Sequence, residues 1–341
     1  MKPLLIAHAE DPDGILSRVL AMRYFYMRER KPEEHIFIRY DRIVEGFQEA
    51  VKRAHHHKFI YVADVSINQR LIQAGGSDFA LLEKLARQAE VYWFDHHPES
   101  LRHKNMLAQL GINADHDENQ CAALLLQRHF QIKDSYGLKL AKIAQAHDHK
   151  NDSSDAENIR IGNELEKIIA LANEGLNYDL LLDLTCDLRD EKCFDGEFKV
   201  RPSWQFYVDQ FNQREGQAYG ELDNTVEVVK LGKYHVLFGY SSPLLSQKPG
   251  PSYLRKQYGD KADVFFCLFR PPVRNHIILT SGTSSFPVVS FVQGLGGDGR
   301  ESPPGSGGGF TLDYNLTPDN YQQIKEMLLS RMEKYAQKSS A

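Results

Sequence analysis

The 341-residue sequence predicts an α/β protein of two domains, the first built on a mostly parallel sheet. Three observations carry that expectation. Short apolar runs alternate with helical periodicity over the first hundred or so residues, the stretch from 116 to 220 is mainly helical, and β-rich segments dominate after 222.

LLIAHA (4–9) is a short apolar run entering the turn chemistry of EDPDG, and ILSRVLAMRYFYMRER behind it has helical spacing. HIFIRY (35–40) predicts a strand, VEGFQEAVKRA a helix and FIYVADV (59–65) a strand. SDFALLEKLARQA (77–89) opens on Ser77 as an N-cap and predicts a helix, and VYWFDHH (91–97) predicts the fourth strand. CAALLLQRHF, LKLAKIAQAHDH, NELEKIIALANEG and YDLLLDLTCDL predict helices. VEVVKLGKYHVLFGY, DVFFCLFR, NHIILTSGT and FPVVSFVQ predict β structure. The low-complexity GLGGDGRESPPGSGGGF (294–310) predicts a flexible or ligand-binding loop, and NYQQIKEMLLSRMEKYAQK a closing amphipathic helix. A boundary is expected in the polar SWQFYVDQFNQREGQAYG, giving domains at 1–205 and 222–341, with no internal repeat.

Composition narrows the function. At 42% hydrophobic and 26% charged residues, the chain is neither disordered nor fibrous in type. A net charge of -5 argues against coating a long polyanion such as duplex DNA, though it leaves room for a local basic groove. Cys121, Cys186, Cys193 and Cys267 are scattered without C-x-x-C spacing, which suits a reducing cytosol better than a disulfide framework. The start of the chain lacks the pattern of a signal peptide and no apolar run reaches membrane-spanning length. A cytoplasmic protein with no membrane partner is expected.

The chemistry gathers where the strands end. His8, Asp11 and Asp13 follow the first apolar run, Asp64 ends the third, and Asp95, His96 and His97 end the fourth. In an open parallel sheet, ligands bind outside the carboxyl ends of the strands, so these residues should crowd one rim. Carboxylates packed together repel unless they are protonated or share cations, and metal binding is the simpler remedy. A set rich in carboxylate, with some imidazole and no thiolate, favours Mn²⁺ or Mg²⁺, and the nitrogen ligands favour Mn²⁺. The residues suffice for two ions about 3.5–4 Å apart, an arrangement suited to phosphoester cleavage. A single Asp at a strand end is usually a cap or turn residue; the joint constellation argues otherwise. His55, His56 and His57 are expected to form a solvated helix end suited to the helix dipole, not a metal site.

HAEDPDGI, the Asp of VADVS and FDHHP together resemble the DHH phosphoesterase superfamily over roughly the first 150 residues. The C-terminal half resembles the smaller α/β DHHA1-type substrate domain, and the whole chain the nanoRNase or oligoribonuclease-like branch. The resemblance implies that His8 and Asp11 hold one ion, Asp13 and His96 the second, and Asp64 bridges both. It implies Asp148, in KIAQAHDHKND, as the fourth motif ahead of Asp152. His97 would face the substrate phosphate, and Asp95 would orient a neighbouring ligand.

Two departures stand out. His8 lies one residue closer to the first Asp than in many members, and the late glycine run has no histidine after it and no arginine in the LTSGTSS before it. Arg300, Ser306 and the amides of Gly307, Gly308 and Gly309 are the substitute phosphate-binding candidates, as a nest of N–H groups. Arg255, in the helical LRKQ, is a candidate for a cleft wall, and Arg270 and Arg274 are expected loop residues. His147 and His149 flank Asp148 and are equally open to structural and substrate-contacting roles.

The function expected is a metal-dependent phosphodiesterase that hydrolyses short oligonucleotides or linear dinucleotides by a two-metal mechanism, in a cleft between the domains, with homodimerisation as an analogy. A phosphatase or pyrophosphatase acting on nucleoside bisphosphate, pyrophosphate or polyphosphate is the alternative reaction. A non-catalytic nucleotide sensor is the alternative class.

Overall fold

The N-terminal half alternates strands and helices in the order β1 (Leu4–His8), α1 (Pro12–Glu29), β2 (Glu34–Ile38), α2 (Ile43–Ala54), β3 (Phe59–Ala63), α3 (Gln69–Ile72), α4 (Ala80–Ala86), β4 (Glu90–Asp95), α5 (Pro98–Arg102), α6 (Lys104–Gln109) and β5 (Asn113–His116). Helices α7 (Ala122–His129), α8 (Ser135–Asp148), α9 (Ala156–Glu174), α10 (Tyr178–Arg189) and α11 (Pro202–Thr225) follow. The computed structural model describes residues 2–29, 34–150, 153–174, 177–241, 249–269, 276–281, 286–295, 298–302, 305–311 and 320–338. They divide into two units, Met1–Val208 and Asp209–Ala341.

In the first unit the strands form one parallel sheet in the order β2-β1-β3-β4-β5. Alternate strand side chains enter opposite layers, as the period of two requires. Leu5, Tyr61, Ala63 and Phe94 face a core completed by α1, α7, α8, α9, α10 and the first residues of α11. Leu4, Ile6, Ile60, Val62, Val91 and Trp93 face the other core, built with α2, α3, α4 and α6. Near-continuous apolar strands are the signature of a sheet covered on both faces. The four N-terminal strands and the helices expected between 116 and 220 are all present; β5, four residues long with alternating exposure, was not anticipated.

The second unit carries β6 (Glu227–Leu231), β7 (Tyr234–Ser241), α12 (Pro249–Tyr258), β8 (Val264–Phe269), β9 (His276–Ser281), α13 (Val288–Gln293), β10 (Asp298–Ser302), β11 (Gly305–Thr311) and α14 (Tyr321–Lys338). Its six strands form a mixed sheet in the order β10-β11-β9-β8-β7-β6, with only β7 and β8 parallel. Phe238, Val264, Phe266 and Leu268 pack on α13 and α14, while Leu237, Phe265 and Cys267 pack on α12 and the later residues of α11.

Two expectations are corrected here. FPVVSFVQ contains helix α13 rather than a strand: Val288, Phe291 and Val292 share a buried face at helical spacing, and Pro287 stands at the N-cap. A short, wholly apolar run reads the same in either periodicity. The glycine-rich run contains the paired strands β10 and β11, not only a loop: Gly307, Gly308 and Gly309 pair with Arg300, Gly299 and Asp298 on one side and with Thr280, Leu279 and Ile278 on the other. A strand between two neighbours sends successive amides to opposite sides, so these three do not form the expected nest.

Candidate metal centre

The strand order reverses beside β1: β2 lies on one side and β3 on the other. Such a switch point leaves a crevice at the carboxyl ends of the central strands. β1 ends on His8, and the chain turns at once into α1, where the Asp11 carboxylate (Oδ1) accepts the N–H of Gly14 at 3.1 Å. Asp as N-cap with Pro12 behind it is a strong helix start. Gly14 is required there because a Cβ would sit 2.2 Å from the His8 carbonyl oxygen. After β3, Asp64 takes a left-handed backbone (φ 57°), which Asp tolerates better than most residues, and its N–H donates to the Phe94 carbonyl at 2.9 Å. β4 ends on Asp95, with His96 and His97 between it and Pro98 of α5.

Asp64 is the hub. Its Oδ2 lies 3.2 Å from Nδ1 of His8, which is itself 3.0 Å from Oδ2 of Asp11. Its Oδ1 lies 3.3 Å from Nε2 of His96, whose Nδ1 is 3.2 Å from Oδ2 of Asp148. Nε2 of His149 reaches the same Asp148 oxygen at 3.4 Å. His97 turns Nδ1 toward Oδ1 of Asp95 at 2.7 Å, and stands 4.0 Å from Asp64. Among the described residues three groups therefore offer donor atoms within 4.8 Å of one another: His8, Asp11 and Asp64; Asp64, Asp95, His96 and His97; and His96, Asp148 and His149.

The electrostatics are those of donors crowded out of water. Burial and the negative charge of Asp11 push the Asp64 carboxyl up. Burial opposes charge on His8, but Asp11 and the contacts to Asp64 and Glu10 outweigh it and hold the imidazole well above its usual range. His96 is likewise pushed up to about 10, its burial overcome by Asp64, Asp13 and Asp148. Imidazoles and carboxylates sharing protons in this way are what a cation replaces when it binds. The donor set is oxygen and imidazole nitrogen without thiolate, and so fits a hard or borderline divalent ion such as Mg²⁺ or Mn²⁺.

Asp13 departs from the expected pattern. Both of its oxygens accept backbone amides at the start of α7, Oδ2 from Ala122 and Oδ1 from Ala123, each at 2.8 Å. It caps that helix and stands outside the three donor groups. Burial and the nearby Asp64 charge push its carboxyl well up, so it lies within the field of the centre. His147 has its Nε2 3.2 Å from Glu166 within the α8–α9 packing, whereas His149 joins the donor groups. His57 is corrected: His55 and His56 are exposed, but His57 is buried, with Nδ1 2.9 Å from the Lys2 carbonyl oxygen and Nε2 3.4 Å from Glu34.

Arg255, on α12, and Arg300, Ser306 and Gly307–Gly309, on β10 and β11, all belong to the second unit. Asp152, Arg270 and Arg274 lie outside the described residues.

Three side chains at the rim were not anticipated. Oε2 of Glu10 lies 3.4 Å from Nε2 of His8 and accepts the Tyr40 N–H at 3.1 Å. A carboxylate behind a metal-binding imidazole fixes its ring and tautomer. Tyr40 follows β2, its ring 4.7 Å from that of His8. Burial, with the charges of Asp64 and Asp95, holds its phenol far above the usual range. His116, at the end of β5, has Nε2 2.7 Å from the His97 carbonyl oxygen. Glu10 stands inside the motif that the sequence exposes; Tyr40 follows β2 without a ligand-type run, and His116 lies in NADHDE, at the end of a strand that was not anticipated.

No family model and no curated protein matches the chain. Solved structures do. The pGpG-specific phosphodiesterase PggH from Vibrio cholerae aligns over 98% of this chain and 99% of its own, at 11% identity and TM-score 0.52. An exonuclease RecJ bound to manganese aligns over 98% of this chain and 90% of its own, at 12% identity and TM-score 0.54. The chain shares their fold. The five-stranded parallel sheet and mixed α/β architecture are those expected from the sequence, and both neighbours span nearly its whole length.

Proposed function

We propose that this protein is a divalent-cation-dependent phosphodiesterase that hydrolyses short oligonucleotides or linear dinucleotides. The observation that carries the reading is Asp64 lying between His8 and His96, which joins the ends of β1, β3 and β4 into one set of donors. His8, Asp11 and Asp64 would hold one ion, and Asp64, His96, Asp148 and His149 a second, with Mn²⁺ preferred over Mg²⁺. Bound divalent ions supply Lewis acidity and a lowered water pKa for in-line attack on phosphorus. Asp13 retains one lone pair on each oxygen beyond its amide bonds, enough to face the second ion. Asp95 orients His97 through their 2.7 Å contact, and His97 faces the phosphoryl group. Two neighbours in fold support the chemistry, one described as specific for pGpG and one as an exonuclease bound to manganese. For substrate binding beyond the scissile phosphate, Arg255 and Arg300 are the basic side chains we assign to the second unit, beside a DHHA1-like role for its sheet.

The test is a panel: the full chain with Mn²⁺, offered pGpG, two- to twenty-residue oligonucleotides, a nucleoside bisphosphate and pyrophosphate, repeated with chelator and with Asp64→Ala. Fast, chelator-sensitive cleavage of the shortest phosphodiesters is expected. Cleavage indifferent to chelator and to Asp64→Ala would reject the metal chemistry, preference for the bisphosphate or pyrophosphate would reassign the reaction, and no turnover would leave a nucleotide sensor.

A further inference from the structure

Tyr40 ties together three parts of the metal centre without being a ligand type for a hard cation. Its backbone N–H donates to Glu10, the carboxylate behind His8, at 3.1 Å. Its phenolic oxygen accepts the N–H of Ser66, two residues beyond Asp64, at 3.0 Å. Its ring packs 4.7 Å from His8 and stands edge-on to His97, with centroids 6.3 Å apart and planes at 81°. The ring is therefore held between the imidazole expected to bind metal and the one expected to face phosphate, and the Ser66 amide fixes its hydroxyl.

Accepting the Ser66 amide occupies a lone pair of the phenolic oxygen and leaves its proton to be donated. Among the described residues no acceptor takes it. A rigid, largely buried phenol with a proton to give, standing at the rim of an anion-handling centre, has the form of a preorganised donor for developing negative charge. Resting on the hydrolytic reading above, we propose that Tyr40 is a catalytic residue whose phenol donates a hydrogen bond to a non-bridging oxygen of the scissile phosphoryl group. No proton is transferred: the phenol keeps its hydrogen while the phosphoryl oxygens gain charge, and it releases that hydrogen bond when the product leaves.

The experiment compares wild-type full chain with Tyr40→Phe in Mn²⁺, reading pGpG turnover, bound Mn²⁺ per chain, and orthovanadate affinity by calorimetry. Removing one such donor is expected to lower kcat by about 100-fold, with KM within about threefold. Vanadate Kd should rise by about tenfold or more, while Mn²⁺ content stays unchanged. If Tyr40→Phe does not fold because the Ser66 amide is orphaned, two unnatural residues at position 40 replace it. Both 4-methoxyphenylalanine and 4-aminophenylalanine can accept from Ser66, but only the second can donate, and only the second should retain turnover and vanadate binding. Wild-type kcat in Tyr40→Phe, or in the methoxy variant, overturns the inference while the hydrolytic reading survives. A loss confined to Mn²⁺ content also overturns it, since Tyr40 would then merely position His8. If the wild type cleaves no phosphoester at all, the hydrolytic reading itself falls, and the inference with it.

Discussion

Asp64 and His96 come from the ends of adjacent parallel strands and meet at 3.3 Å, Oδ1 to Nε2, while the other Asp64 oxygen is turned to His8. One buried carboxylate thus faces an imidazole on each side. Replacing it with Asn keeps the size and the tolerance of a positive φ but removes the charge. Asp64→Asn should abolish detectable turnover and weaken Mn²⁺ binding by at least about 100-fold. The wild-type chain should gain about 2.7 kcal/mol of stability at 100 times its Mn²⁺ Kd. Thermal unfolding with and without Mn²⁺ checks this: the metal-dependent rise in Tm should vanish in the variant.

Glu10 acts through His8. Its Oε2 is 3.4 Å from His8 Nε2, and its carboxyl is held low because the bond to His8 outweighs its burial. Glu10→Gln keeps the shape and loses the charge that orients the ring. Mn²⁺ affinity should fall by about 10–100-fold, as expected when the hydrogen-bonded partner of a metal ligand is changed. Turnover at saturating Mn²⁺ should stay within a few-fold of wild type. Calorimetric Mn²⁺ titration beside a saturation assay separates the two effects.

Asp13 tests structure against chemistry. Both oxygens accept amides of α7, and an amide side chain can accept with only one. Asp13→Asn should cost about 1–3 kcal/mol in the metal-free protein, because one buried N–H loses its acceptor. Chemical denaturation in chelator measures that loss apart from any effect on the ions.

His35 should shape the acid stability. Burial first, then the Arg18 and Arg189 charges, push its imidazole down to about 3. The unfolded chain binds a proton at this residue below about pH 6.5 that the folded chain refuses until about pH 3. A depressed histidine therefore contributes nothing adverse at neutral pH and costs stability as pH falls through that window. The slope from one such group is at most about 1.4 kcal/mol per pH unit. His35→Phe should flatten the stability profile between pH 5 and 6.5, measured by urea unfolding at constant ionic strength.

Much of this was legible in one dimension. The near-continuous apolar runs LLIAHA, FIYVADV and VYWFDHH placed three buried strands, and the polar residues that stop them marked the rim. Helices α7, α8, α9, α10 and α14 followed from their spacing. What failed did so for local reasons. The apolar Val288–Gln293 segment has no polar residue to report its period, and a glycine run becomes a strand only because β9 and β10 supply partners for its amides.

By itself the sequence determined that acids and imidazoles stand at strand ends, because a buried strand must stop where charge begins and a parallel sheet aims those ends one way. The tertiary structure alone decided which of them meet. Strand order put Asp64 between His8 and His96, helix packing turned Asp13 to the α7 amides, and the turn after β2 brought Tyr40 against His8. Side chains that touch across 30 or 100 residues do so because of the register and packing of whole elements, and no local pattern encodes that distance.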